Sequence, residues 1–123
     1  MEQFKIPKKM KAMTLTAYDK LQLAEVDVPQ PGPGEVLCRI KSIAICGHEW
    51  SGQVVAVGSG VKDFVPGDRV AGEAHVGCGK CDNCKKGHYT VCLNYGKDGK
   101  DGGLDMGHRH YGFYWQGANA EYN

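Results

Sequence analysis

Four of the six cysteines in this 123-residue chain fall within fifteen residues, as Cys78-x2-Cys81-x2-Cys84-x7-Cys92. Thiolates at such short spacing can close a tetrahedral shell around one zinc ion, with each sulfur about 2.3 Å from the metal. Gly77, Gly79 and Gly87 supply turns that aim backbone amides at the sulfurs, and Lys80, Lys85 and Lys86 offset the negative charge of four thiolates. A shell filled by protein leaves no position for a substrate, so this metal is expected to be structural. An iron–sulfur cluster shares the first two spacings, but the bacterial pattern continues x3-Cys-Pro, whereas here x7 precedes the last cysteine and Leu93 follows it. Two disulfides remain the plain alternative. They are disfavoured because no apolar export signal opens the chain between Met1 and Met10.

A second group with ligand chemistry is Cys46-Gly47-His48-Glu49. In an extended backbone, residues i and i+2 point the same way, so Cys46 and His48 could share one zinc. Glu49 would then act as a third or outer ligand. A plainer expectation is a packed cysteine at a strand end beside a surface histidine.

The elements that must carry these groups read as β-structure. Lys11 to Ala17 and Leu21 to Val28 form a hairpin across Tyr18-Asp19-Lys20, with either a bulge near Ala24 or burial on both faces to reconcile Leu21 and Leu23 with Val26 and Val28. Pro29 to Gly34 must be a loop. Glu35 to Cys46 is a long strand whose facing changes near Ser42; Ser51 to Val57 and Arg69 to Val76 are further strands, the last entered through the turn Pro66-Gly67-Asp68. The first nine residues read as a solvated arm. From about Gly77 to Gly107 no period of 2 or 3.6 survives, and a loop of that length needs something other than a core to organise it. The result is a mainly β domain, a small bent barrel carrying one lobe.

Composition narrows the function classes. With 15 Lys and Arg against 14 Asp and Glu, the net charge is +1, which gives no electrostatic footprint for nucleic acid or an anionic membrane. The longest apolar stretches are too short to span a bilayer, and a cytoplasmic location is expected. Gly is 18 of the residues, dispersed as in a turn-rich β domain.

Gly47-His48-Glu49-Trp50-Ser51-Gly52-Gln53 followed by Val54 to Val57, together with Ile45-Cys46-Gly47, resembles the signature of the zinc-dependent medium-chain alcohol dehydrogenases. The four-cysteine lobe is similar to that family's structural-zinc lobe. Pro31-Gly32-Pro33-Gly34-Glu35-Val36, Pro66-Gly67-Asp68-Arg69-Val70 and Ala120-Glu121-Tyr122 look like further landmarks in the family's order. Glu73-Ala74-His75 is similar to the polyol and threonine dehydrogenase branch. The resemblance, from about residue 10 to 123, implies the family's N-terminal GroES-like barrel. It further implies Cys46, His48 and Glu49 as catalytic or catalytic-zinc residues, an alcohol or polyol substrate, and NAD or NADP as hydride acceptor in a full-length relative.

Three departures matter. The family separates its catalytic cysteine from Gly-His-Glu by a loop and helix, whereas Cys46 and His48 here share Gly47, so the hydroxyl residue and Asp that usually follow are missing. The third catalytic-zinc ligand and the nicotinamide-binding domain are also missing; Gly58-Ser59-Gly60 runs into Val61-Lys62-Asp63 and reads as a turn. The chain by itself is therefore expected to be inactive, and a non-enzymatic zinc-stabilised barrel is the competing reading. His75 is expected in a surface or packed role, and His88, His108 and His110 at the surface. Tyr111, Phe113, Tyr114 and Trp115 are expected to pack, or to cover a face open to self-association into a homo-oligomer.

Overall fold

The structure, a computed structural model, describes residues 4–94, 110 and 116–123. Two antiparallel groups of strands make up most of it. β1 (Lys9–Ala17) and β2 (Lys20–Asp27) form a hairpin; β3 (Val36–Ile43), β4 (Trp50–Val57) and β5 (Arg69–Gly72) form a three-stranded sheet in that order. Helix is confined, among the described residues, to α1 (Asp82–Lys85) and a 3-10 turn at Tyr89–Val91.

The hairpin resolves the Leu21/Val26 conflict in neither expected way. Pairing with β1 runs unbroken through Ala12↔Ala24, and the irregularity sits near the turn, between Leu15 and Ala17, where Asp19 takes a positive φ of 57°. Ala24 and Val26 are half-buried and Val28 is buried, whereas Leu21 and Leu23 are exposed. The outward leucines face Leu15 and Met13 across the ladder, and all four stay exposed on the side away from the core. β3, by contrast, shifts register between Ile40 and Ser42, the position at which the alternation of its apolar residues changes sides, and it ends at Ile43 instead of reaching Cys46.

Residues 118–123 join the two sheets. Met13 N–H donates to Asn119 O at 2.8 Å and Glu121 N–H to Lys11 O at 3.1 Å on one side. On the other, Cys38 N–H donates to Asn123 O at 2.7 Å, Asn123 N–H to Cys38 O at 3.0 Å, and Ile40 N–H to Glu121 O at 2.9 Å. One hydrogen-bonded layer thus runs β2, β1, 118–123, β3, β4, β5. It is bent but open, because no pairing joins β2 to β5 among the described residues.

The core lies against this layer and consists of Met10, Val28, Leu37, Val55 and Tyr122. Phe4 and Ile6 pack on it, which corrects the expectation of a solvated arm over residues 1–9: the alternation that sends Lys5 outward turns its two apolar neighbours inward. Tyr122 is the one aromatic in the buried cluster. Tyr122→Ala should lower unfolding stability by about 3–5 kcal/mol, the usual cost of truncating a buried aromatic, as measured by urea denaturation. A loss below about 1 kcal/mol would show that the last residues do not tie the sheets together.

Candidate metal centre

The lobe begins where β5 ends. Gly77 lets the chain enter it closely, since a Cβ there would sit 2.6 Å from Tyr89 Cβ and 2.9 Å from Cys84 Sγ. Two turns follow, each folded around a sulfur. Lys80 and Cys81 N–H both point at Cys78 Sγ, at 3.3 Å each, and Cys84 N–H points at Cys81 Sγ at 3.4 Å. Cys81 caps α1 and places Cys84 one turn later. Asn83 then fastens the far wall: its side-chain amide donates to Val91 O at 2.7 Å, and its carbonyl accepts from His88 N–H at 2.8 Å. That wall returns Cys92, whose sulfur accepts from Cys78 N–H at 3.4 Å.

All four sulfurs lie within 4.8 Å of one another, in the only such ligand cluster among the described residues. Cys78 Sγ to Cys84 Sγ is 3.9 Å and Cys81 Sγ to Cys92 Sγ is 4.0 Å. A regular tetrahedron of sulfurs 2.3 Å from zinc has edges of about 3.8 Å, so the cluster fits that ion closely. All are free thiols, far outside the roughly 2.05 Å of a disulfide bond. The amides of Lys80 and Cys81 bring the Cys78 thiol down to about 6, and those of Cys84 and Leu93 lower Cys81. Burial pushes Cys84 up to about 11.

Cys46, His48 and Glu49 stand on the connection between β3 and β4, a tight turn in which Gly47 has φ of +77°. That turn corrects the extended backbone on which a shared face for Cys46 and His48 depended. Cys46 is exposed and its Sγ meets a Glu49 carboxylate oxygen at 3.2 Å; His48 is half-buried, and the three do not form a cluster within 4.8 Å.

A further constellation escaped sequence reasoning. Glu73 Oε1 lies 3.6 Å from His75 Nδ1, its other oxygen accepts the Tyr89 hydroxyl, and the rings of His75 and His110 are 4.0 Å apart. His110 is half-buried, contrary to a surface position, because it pairs with His75 as a backbone bridge; His88 is exposed as expected. The Glu73-x-His75 spacing was the one signal available. His108, the aromatic group Tyr111, Phe113, Tyr114 and Trp115, and the 95–107 part of the lobe lie outside the described residues. Gly58-Ser59-Gly60 is a turn, with Gly58 N–H bonded to Glu35 O at 2.8 Å and Gly34 N–H to Ser59 O at 2.8 Å, and no helix follows it.

A family model described as the alcohol dehydrogenase GroES-like domain matches residues 9–123. The chain belongs to that family. It is 44% identical over 96 residues to an L-threonine 3-dehydrogenase of Pyrococcus furiosus, covering 59% of this chain and 28% of the relative. A cobalt- and zinc-bound thermostable alcohol dehydrogenase from Pyrobaculum aerophilum superposes with a TM-score of 0.74 at 27% identity, over 94% of this chain and 38% of that one. A candidate zinc-binding dehydrogenase from Sinorhizobium meliloti 1021, solved with NADP, gives 0.73 at 29% identity over 95% of this chain and 36% of that one. The chain therefore spans less than a third of the length of the curated relative it matches. No helix among the described residues is long and apolar enough to cross a membrane.

Removal of zinc, or Cys92→Ser, should open the lobe: proteolysis between Gly77 and Asn94 should quicken by at least about tenfold while the strands stay protected, since metal affinity here is local folding energy. Equal protection with and without metal would sink the assignment.

Proposed function

We propose that this chain is the N-terminal, GroES-like part of a zinc-dependent dehydrogenase that moves hydride between a small secondary alcohol and NAD or NADP, with Cys78, Cys81, Cys84 and Cys92 as its structural zinc ligands. The observation that carries this reading is the tetrahedral set of sulfurs in a chain matched to the family over residues 9–123. Zinc bound there would supply cross-linking and charge compensation, not Lewis-acid chemistry, because no coordination position is left open.

The substrate class follows from the relatives. A small hydroxy compound such as threonine, or a polyol, fits the L-threonine 3-dehydrogenase match, and Glu73 and His75 stand at the entrance to the lobe with polar atoms suited to such a ligand. Substrate oxidation needs a nicotinamide held over the reacting carbon. The described residues offer no Gly-rich strand-to-helix turn for a pyrophosphate.

The purified 123-residue chain should show no NAD- or NADP-dependent oxidation of threonine or of C3–C6 polyols above the protein-free blank, followed as absorbance at 340 nm. Turnover by this chain alone would overturn the division of labour proposed here.

A further inference from the structure

We infer that the outward face of the β1–β2 hairpin is a docking surface for a second copy of this chain, packed face to face about a two-fold axis parallel to the strands. None of its residues belongs to the lobe, and the contact needs no bound metal or nicotinamide.

Residues directly opposite one another in an antiparallel ladder project to the same side. The pairs Lys9↔Asp27, Lys11↔Glu25, Met13↔Leu23 and Leu15↔Leu21 therefore make one face, while Met10, Ala12, Ala24 and Val26 turn to the core side. All eight residues of the outward face are exposed. Leu15 is 72% exposed, Leu21 and Leu23 are 62% and Met13 is 40%, so the half of the face beside the turn is an apolar patch left in water. Contiguous patches of this kind, rimmed by charge, mark sites of association.

The face carries its own complement. From the turn outward, β1 presents Leu15, Met13, Lys11 and Lys9, and β2 presents Leu21, Leu23, Glu25 and Asp27. One strand is basic and the other acidic over the same half, and both are apolar over the rest. Lys9 Nζ lies 2.9 Å from Asp27 Oδ1, yet both side chains remain more than half exposed, with room for a second partner each.

A two-fold axis running along the strands, between two such faces, sets β1 of each copy over β2 of the other, with both turns at the same end. Leu15 and Met13 then lie over Leu21 and Leu23 of the second copy, and Lys9 and Lys11 over its Asp27 and Glu25. Sheets packed this way stand about 10 Å apart, a gap that a lysine and a carboxylate side chain span together. The other closed arrangement fails. An axis lying across the strands sets β1 on β1, turn over open end, and presses Lys9 and Asp27 against leucines with no opposite charge. Eight residues a side put the contact at the low end of specific interfaces, so the dimer is weak and concentration-dependent.

Sedimentation velocity of the zinc-loaded chain under reducing conditions, over a rising concentration series, should show a reversible monomer–dimer equilibrium. Leu15→Asn with Leu21→Asn should weaken it at least about tenfold and leave the circular dichroism unchanged, because both sites are exposed. Lys9→Glu with Lys11→Glu should also weaken it, as should Glu25→Lys with Asp27→Lys. An equimolar mixture of those two charge variants should dimerise again, since the wholly acidic face of one meets the wholly basic face of the other. A chain that stays monomeric throughout the series would overturn the inference. Dimers indifferent to Lys9→Glu with Lys11→Glu would do so too, by placing the contact elsewhere, such as the outer edge of β2. So would charge variants that stay monomeric when mixed. A patch covered by residues 95–115 of the same chain would instead show as lowered urea stability in Leu15→Asn with Leu21→Asn at constant monomer mass, and that result also rejects a second copy.

Discussion

The sheets of this domain are arranged around the backbone ladder made by residues 118–123. A two-stranded hairpin is marginal by itself, and the three-stranded sheet has one uncovered side. The last residues of the chain pair with β1 on one edge and β3 on the other, satisfying both rows of amides and carbonyls at once. The same residues deliver Tyr122 to the core and press Asn119 over Gly47. Core, sheet continuity and the shape of the β3–β4 turn therefore share a single cause.

The lobe obeys a different physics. Among its described residues, Cys92 is buried and most of the others are exposed or half-buried, so apolar burial does little to order it. The amides of Cys78, Lys80, Cys81 and Cys84 point at sulfur, where they stabilise negative charge. Sheet and lobe meet at Gly77, where the side of Tyr89 leaves no room for a Cβ, and through the Tyr89 hydroxyl on Glu73. Among the described residues, this GroES-like domain thus joins a layer with an apolar core to an excursion whose four sulfurs could hold a metal ion.

The contrast between the two ligand groups shows what spacing does and does not specify. Cys-x2-Cys-x2-Cys was legible because short tight turns around a sulfur are local: two or three residues decide where the amides point, and the geometry travels with the sequence. Cys46-Gly47-His48 was not, although its spacing is shorter still. Its geometry depends on φ at Gly47, which glycine leaves free and which a segment seventy residues away selects.

Strand content was equally legible, as in β4 and in the change of facing at Ser42. Leu21 and Leu23 were misread because an apolar pair on a hairpin looks the same in sequence whether or not a core covers it. By itself, the order of residues determined the class of fold, the family and the four-sulfur site, since each rests on interactions within a few residues or on alternation along a strand. Which apolar face is buried, how the sheets are joined, and how the β3–β4 turn is shaped were decided only by the tertiary structure. Those outcomes depend on contacts between segments far apart in the chain, and such contacts leave no periodic trace in it.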